Sequence, residues 1–225
     1  MFIKASTESI TVTQPWQRCD AELVAKIAAY PVANIGDALG RTGLMCSAIH
    51  GVWAGAACHG SILPVNTREG DNLAIHRALD EAQPGDVLVV NGFSDINRAV
   101  FGDLLAEICL ARGVAGVIID GAVRDAEAIG AIGLAAFARA TTPAGPSKMG
   151  PGTVGEPVAC GNLVCNPGDA IVADSDGIAV IPRARLAEVL AKLGEIDAME
   201  TALRQQIIQS RLAGTTAPQL AAATV

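Results

Sequence analysis

Ala115-Gly116-Val117-Ile118-Ile119-Asp120-Gly121-Ala122-Val123-Arg124-Asp125 decides the fold class. The run from Gly116 to Ile119 is apolar and β-branched, as expected of a buried strand. Gly121 is read as the sharp exit from that strand. Arg124 and Asp125 then set a fixed cation and a fixed carboxylate side by side at the strand's carboxyl end, where ligands collect in open α/β sheets. Twenty residues (104–123) separate this pair from Asp103. The arrangement suits a divalent metal held by a carboxylate, with an arginine beside it to hold a carboxylate or oxyanion of the ligand.

Working outward, strands and helices alternate through most of the chain. Val87 to Val90 is a second buried strand, entered from the Pro84-Gly85 turn. Between the two strands, Val100 to Arg112 predicts a helix with Leu104, Leu105, Ile108 and Ala111 on one face, closed by Gly113. Helices are also predicted over 21–30, 35–41 and 72–79, with a short one after Asp125; strands are predicted over 54–65 and 134–138. Pro167-Gly168-Asp169 and the strand after it echo Pro84-Gly85-Asp86, too briefly to mark a duplication. Asp174-Ser175-Asp176-Gly177 reads as a tight turn into Ile178 to Ile181, a hairpin, and Thr141 to Gly152 as a loop near a site. A long helix runs from Arg183 to about Leu212, and the tail from Ala213 carries little packing signal. The chain therefore divides into an α/β core over 1–182 and a C-terminal helix and tail over 183–225, which the family resemblance described below assigns to a subunit interface. It has neither a GxGxxG fingerprint after the first strand nor a Walker sequence, so dinucleotide and P-loop chemistry are unsupported.

A chain of 225 residues can bury one substantial core. With 51% hydrophobic and only 3% aromatic residues, that core is aliphatic. No apolar run reaches the ~18–20 residues a bilayer span needs. The start, Met1 to Pro15, is too polar for a secretory signal. A net charge of −7 counts against binding nucleic acid or anionic membranes. Six cysteines form no CxxC pair and no zinc spacing. Cys160 and Cys165 sit in apolar surroundings, so buried thiols in a reducing cytoplasm are expected.

Gly102-Asp103-Leu104-Leu105 opens the helix before the key strand. Free N–H groups at a helix start make an anion site, and Gly102 lets a substrate carboxylate approach the backbone. Asp103 also suits a first-turn carboxylate serving its own helix, and Asp125 a cap on the next one. Their coupling to Arg124 favours the functional reading. One carboxylate fits Mg²⁺ or Mn²⁺, which keep waters and take other ligands from substrate. In the terminal helix, Val189, Leu193, Ile196, Leu203 and Ile207 follow 3–4 spacing, and Glu200 falls on the same stripe. Either that carboxylate is paired or metal-linked in an apolar seam, or Met199 carries the stripe and Glu200 faces water. His50, His59 and His76 have no partner spaced for zinc and read as structural. Neither a GxSxG elbow nor an activated cysteine supports nucleophilic catalysis.

The stretches Val100 to Ala106 and Ile118 to Asp125 resemble the signature of the RraA-like superfamily, and within it the 4-hydroxy-4-methyl-2-oxoglutarate / 4-carboxy-4-hydroxy-2-oxoadipate aldolases. Gly85-Asp86-Val87 and Ala173-Asp174-Ser175-Asp176-Gly177 agree with it. The resemblance implies an α/β/β/α sandwich of the swivelling-domain type, assembled as homotrimers or homohexamers with active sites between subunits. It implies a class II pyruvate aldolase that needs a divalent metal and also decarboxylates oxaloacetate. Asp125 is implied as the metal ligand, Arg124 as the contact to the pyruvyl group, and Gly102, Asp103, Leu104 and Leu105 as substrate contacts. A glutamate from a neighbouring subunit's terminal helix is also implied: Glu200 by position, with Glu195 as the alternative. On that scheme a water oriented by Asp103 or Glu200 accepts the C4 hydroxyl proton, and the metal with Arg124 stabilises the pyruvate enolate. Shorter regulators of the same superfamily bind and inhibit RNase E, the alternative reading. The helix from 183 to 212 favours the enzyme. A methyltransferase label sometimes attached to such sequences finds no nucleotide-binding loop here.

Overall fold

In the computed structural model, which describes residues 6–213, the run from Gly116 to Val123 lies inside the parallel part of a mixed sheet. The chain runs β1 (Ile10–Val12), α1 (Ala21–Ile27), α2 (Val32–Ala38), β2 (His50–Gly51), β3 (Cys58–Asn66), α3 (Leu73–Glu81), β4 (Asp86–Phe101), α4 (Asp103–Ala111) and β5 (Gly116–Val123). It continues with α5 (Ala126–Ile132), β6 (Ala135–Thr141), β7 (Gly152–Val154), β8 (Val158–Cys160), β9 (Leu163–Cys165), β10 (Ala170–Asp174), β11 (Gly177–Ile181) and α6 (Leu186–Leu212). Strands β3, β4, β5 and β6 pair in that order and in parallel, with α3, α4 and α5 as the crossovers.

Alternation along each strand divides its side chains between two cores. In β4, Leu88 and Val90 join Leu73, Ile75, Leu105 and Ile129 beneath α3, α4 and α5. Val87 and Val89 point the other way and join Ile62, Ile118 and Phe137. Ile171, Ala173, Ile178 and Val180 of the β10–β11 hairpin close that second core. The hairpin's alternate residues, Ala170, Val172, Ala179 and Ile181, pack on Val24, Ile27, Ile35, Val189 and Leu193 of α1, α2 and α6. Two strand layers, each with helices outside, give the α/β/β/α sandwich. Strand β10 also pairs antiparallel with β3, so the layers join along one strand. Burying each large aliphatic side chain contributes about 1.5–3 kcal/mol.

The departures from expectation have local causes. Strand β4 extends far beyond 87–90, because it bulges outward over 92–98 and then resumes pairing, Phe101 opposite Val123. Phe93 and Ser94 at the bulge both take φ 58°, and Phe93 and Ile96 are exposed. Helix α4 therefore starts at Asp103 rather than Val100. Gly121 does not end β5, which continues buried to Val123. It is small because the bulge crosses it: a Cβ there would lie 3.3 Å from the Asp95 carbonyl oxygen. The reversal falls instead at Asp125. Pro31 starts α2 three residues earlier than predicted. Strands β1, β2, β7, β8 and β9 are two or three residues long, too short to carry a period. Cys58, Cys109, Cys160 and Cys165 are buried, and burial pushes the thiols of Cys58, Cys109 and Cys165 up to about 12.

The terminal helix divides along its length. Leu186, Val189 and Leu193 are buried against the body. Past Ile196 the stripe is no longer buried, with Leu203 half-buried and Ile207 38% exposed, and the apolar Met199 and Ile208 beside it are 53% and 54% exposed. Most of the expected tail lies outside the described residues. Among the described residues no helix is long and apolar enough to cross a membrane. Leu193→Ala is expected to lower the unfolding free energy by about 2–5 kcal/mol in urea denaturation. A loss below about 1 kcal/mol would mean that α6 is not docked through this residue.

Candidate active site

The carboxyl ends of β4 and β5 meet at Gly102. The Arg124 amide donates to the Phe101 carbonyl at 2.9 Å, carrying the ladder past the last strand residue. Asp125 then takes a left-handed conformation, φ 56° and ψ 37°, which costs a non-glycine residue about 1–2 kcal/mol. An aspartate at a helix entry normally turns its carboxylate onto that helix's amides. Asp125 makes no such bond to α5. Its Oδ2 accepts instead from the Arg124 Nε at 3.1 Å and, at 3.4 Å, from the Asp103 amide of α4. The simple capping role is therefore excluded for this carboxylate. Asp103 does serve its own helix in part: its Oδ1 accepts from the Leu104 amide at 2.7 Å. Both amides already face carboxylate oxygens, so an incoming anion has to displace them.

Two cavities open on this junction and share Asp103 and Arg124. One, of about 680 Å³, runs between α3, α4 and the 145–148 loop. The other, of about 530 Å³, lies between the start of α5 and residues 141–143 and includes Asp125. The 141–152 loop thus borders the site, as expected. It is held by Asp71, which is fully buried. Asp71 Oδ2 accepts from Ser147 Oγ at 2.7 Å and from the Met149 amide at 2.6 Å, while its Oδ1 accepts from the Leu73 amide at 2.8 Å. Burial alone would raise this carboxyl, but the donors from Met149, Ser147, Leu73 and Gly150 outweigh it and hold it below its usual value. Asp120, on β5 itself, plays the matching part. It pairs with Arg139 and accepts from Ser94 Oγ and the Gly161 amide, each at 2.8 Å, tying the β4 bulge to β6 and the β8–β9 turn.

Gly102, Asp103, Leu104, Leu105 and Arg124 all line the larger cavity, and Asp125 lines the smaller. Glu200 and Glu195 line neither within this chain. Glu200 is half-buried on α6 and pairs with Arg204 one turn on, at 3.0 Å. Among the described residues no cluster of three His, Cys, Asp or Glu side chains could hold a metal ion. What remains is one carboxylate with a free oxygen, since Asp125 Oδ1 makes no hydrogen bond among the described residues, and Asp103 beside it. An all-oxygen, one- or two-carboxylate set suits a hydrated hard dication and does not suit zinc. The sequence reading missed Asn72, His76 and Lys148, which line the larger cavity. Asn72 immediately precedes α3 and His76 lies four residues on in its first turns, a spacing that offered the signal.

A profile of the RraA-like family, described as aldolase/RraA, matches residues 32–180. The chain belongs to the aldolase/RraA family. A Halalkalibacterium halodurans protein named "Putative 4-hydroxy-4-methyl-2-oxoglutarate aldolase" is 34% identical over 196 residues, covering 87% of this chain and 93% of the relative. Among solved structures, Streptomyces coelicolor RraAS2, described as an unusual member of the RNase ES inhibitor RraA family, matches with 29% identity and TM-score 0.76, over 84% of this chain and all of that one. The Thermus RNA-processing inhibitor RraA matches with 27% identity and TM-score 0.63, over 68% and 93%. The aldolase/RraA fold is thus shared by relatives carrying two kinds of functional name, so the residues of this site have to discriminate between them.

Two outcomes are expected. A Cβ at Gly102 would lie 2.6 Å from Asp125 Oδ2, so Gly102→Ala should displace the Arg124–Asp125 pair and the crystal structure of the variant should show it moved. Asp71 has a depressed pKa when folded, so its contribution is full above the unfolded aspartate value of about 3.9 and fades as pH falls through the folded one. Asp71→Asn should therefore destabilise clearly at pH 7, and the gap to wild type should narrow at pH 3 in chemical denaturation.

Proposed function

We propose that this chain is a divalent-metal-dependent lyase that cleaves 4-hydroxy-2-oxo di- and tricarboxylic acids to pyruvate and a second oxo acid. 4-Hydroxy-4-methyl-2-oxoglutarate and 4-carboxy-4-hydroxy-2-oxoadipate are the representative substrates. The observation that carries this reading is the Arg124–Asp125 pair, turned by a left-handed residue toward the start of α4 rather than spent on α5. Asp125, with Asp103 beside it, would hold Mg²⁺ or Mn²⁺, which when bound supplies electrophilic stabilisation to the C2 oxygen as negative charge develops there.

The chain's own groups do the rest. With Nε held by Asp125, the terminal N–H groups of Arg124 remain to bind the same oxygen. The amides at 103–105 and the α4 dipole orient the C1 carboxylate, which takes the place of the Asp125 and Asp103 oxygens at the first two amides. A carboxylate, Asp103 or Glu200 from a neighbouring copy, takes the C4 hydroxyl proton through a water. The C4–O bond becomes a carbonyl, the C3–C4 bonding pair moves into the enolate, and protonation at C3 releases pyruvate. Oxaloacetate loses CO₂ through the same enolate. The exposed apolar stripe on the outer half of α6 supports assembly as a homotrimer or homohexamer in which Glu200 reaches another copy's site.

The second reading, a protein regulator that binds and inhibits RNase E, rests on the likeness to the Streptomyces and Thermus structures. The two separate experimentally. Wild type should release pyruvate from 4-hydroxy-4-methyl-2-oxoglutarate, EDTA should abolish release and Mg²⁺ restore it. Arg124→Ala should lower kcat by about 10²–10³-fold. Full turnover by Asp125→Asn in excess Mg²⁺ would refute Asp125 as the metal ligand, and RNase E inhibition without any cleavage would refute the lyase and favour the regulator.

A further inference from the structure

A separate cavity, of about 470 Å³, shares no lining residue with the two at the Arg124–Asp125 junction. It lies at Asn66, the last residue of β3, beside the start of the β4 bulge. It too therefore sits at the carboxyl end of parallel strands, where ligands collect. Its volume falls inside the range of about 300–1,000 Å³ that holds small molecules. Arg68 and Glu69 both line it, and neither makes an ion pair among the described residues. As chain neighbours they bring one charge of each sign to one opening. Thr11 and Thr153, paired in register between β1 and β7, add two hydroxyls that bond to no other described residue. The apolar wall is Phe93. Its backbone takes φ 58°, which a bulky residue rarely adopts, and Ser94 beside it takes the same value. The Phe93 amide donates to Asn91 Oδ1 at 3.0 Å and Ser94 Oγ to Asp120, so the fold maintains this turn against its strain. The core gains little in return, because the ring is 55% exposed. Strain that packing does not explain points to a contact made by the ring itself.

We infer that this cavity binds a free α-amino acid with an apolar side chain, independently of the lyase reading. Arg68 pairs with the carboxylate, Glu69 pairs with the ammonium group, and the Phe93 ring covers the side chain. Thr11 and Thr153 take the hydrogen bonds that remain at the polar end of the ligand. A plain anion meets repulsion from Glu69 and a plain amine meets it from Arg68, so the two charges together select a zwitterion over either.

Ligand-observed NMR titration of the full chain tests this with L-leucine and two analogues: isocaproate, which lacks the ammonium group, and isoamylamine, which lacks the carboxylate. Wild type should bind L-leucine with a Kd of about 1 mM or tighter. Each analogue should bind about fivefold more weakly, the upper end for one charge pair at a partly exposed site. Arg68→Ala and Glu69→Ala should each weaken L-leucine by a similar factor, and both positions are exposed, so both variants should fold. Phe93→Gly should remove binding while keeping Tm, because glycine accepts the left-handed turn without strain. Arg124→Ala should bind L-leucine as wild type does. Absence of saturable L-leucine binding up to about 10 mM would overturn the site. So would isocaproate binding as tightly as L-leucine, which would make the cavity a plain anion site. Binding lost in Arg124→Ala but kept in Arg68→Ala would place the ligand at the Arg124–Asp125 junction and overturn it as well. Dissociation of an assembly by Phe93→Gly, with no binding by wild type, would assign the ring to a contact between copies instead.

Discussion

A methyl group at position 102 would lie 2.6 Å from Asp125 Oδ2 and 3.1 Å from Arg124 Nε, and this close approach joins two strand ends into one site. Because position 102 has no side chain, the Asp125 carboxylate can lie against the first amide of α4 while bonding its own neighbour's guanidinium. The left-handed turn at Asp125 costs free energy that the fold has to supply elsewhere. Strand β5, buried along its whole length, is the rigid base that makes the turn affordable. Strain therefore sits beside a cation, a carboxylate and a helix start, all facing shared cavities.

Buried carboxylates hold the surroundings in place. Asp71 fixes the loop over the larger cavity, and Asp120 fixes the bulge and turns behind the sheet. Both are satisfied by several donors, which is the condition under which burying a charge stabilises a fold. The chain carries a net charge of −7, yet Arg124 and Lys148 project into the larger cavity. Two cations thus line one cavity of an otherwise acidic protein, and such a local field raises the concentration of small anions there.

Much of this was legible in the residues. The apolar runs 87–90 and 116–119, with a helical pattern between them, are long enough to read as buried strands of an α/β fold, and the structure pairs them in parallel. The Arg124–Asp125 pair was legible because it follows such a run. The β4 bulge was not, because Phe93, Ser94 and Ile96 depend on how β4 crosses Gly121, a tertiary constraint with no local pattern. Asn72 and His76 were hidden inside a helical segment whose polar face could equally have met solvent, and Lys148 inside a loop without periodicity. Glu200 illustrates the same limit: its spacing matched an apolar stripe, but only the first half of that stripe is buried in this chain.

The most direct measurement is the structure of crystals soaked with Mn²⁺ and pyruvate, read by anomalous diffraction. The account predicts one anomalous peak within bonding distance of the Asp125 carboxylate, with the pyruvate C2 oxygen turned toward Arg124 and its carboxylate toward the amides at 103–105. A metal bound elsewhere, or pyruvate bound with Arg124 and Asp125 facing away from it, would contradict it.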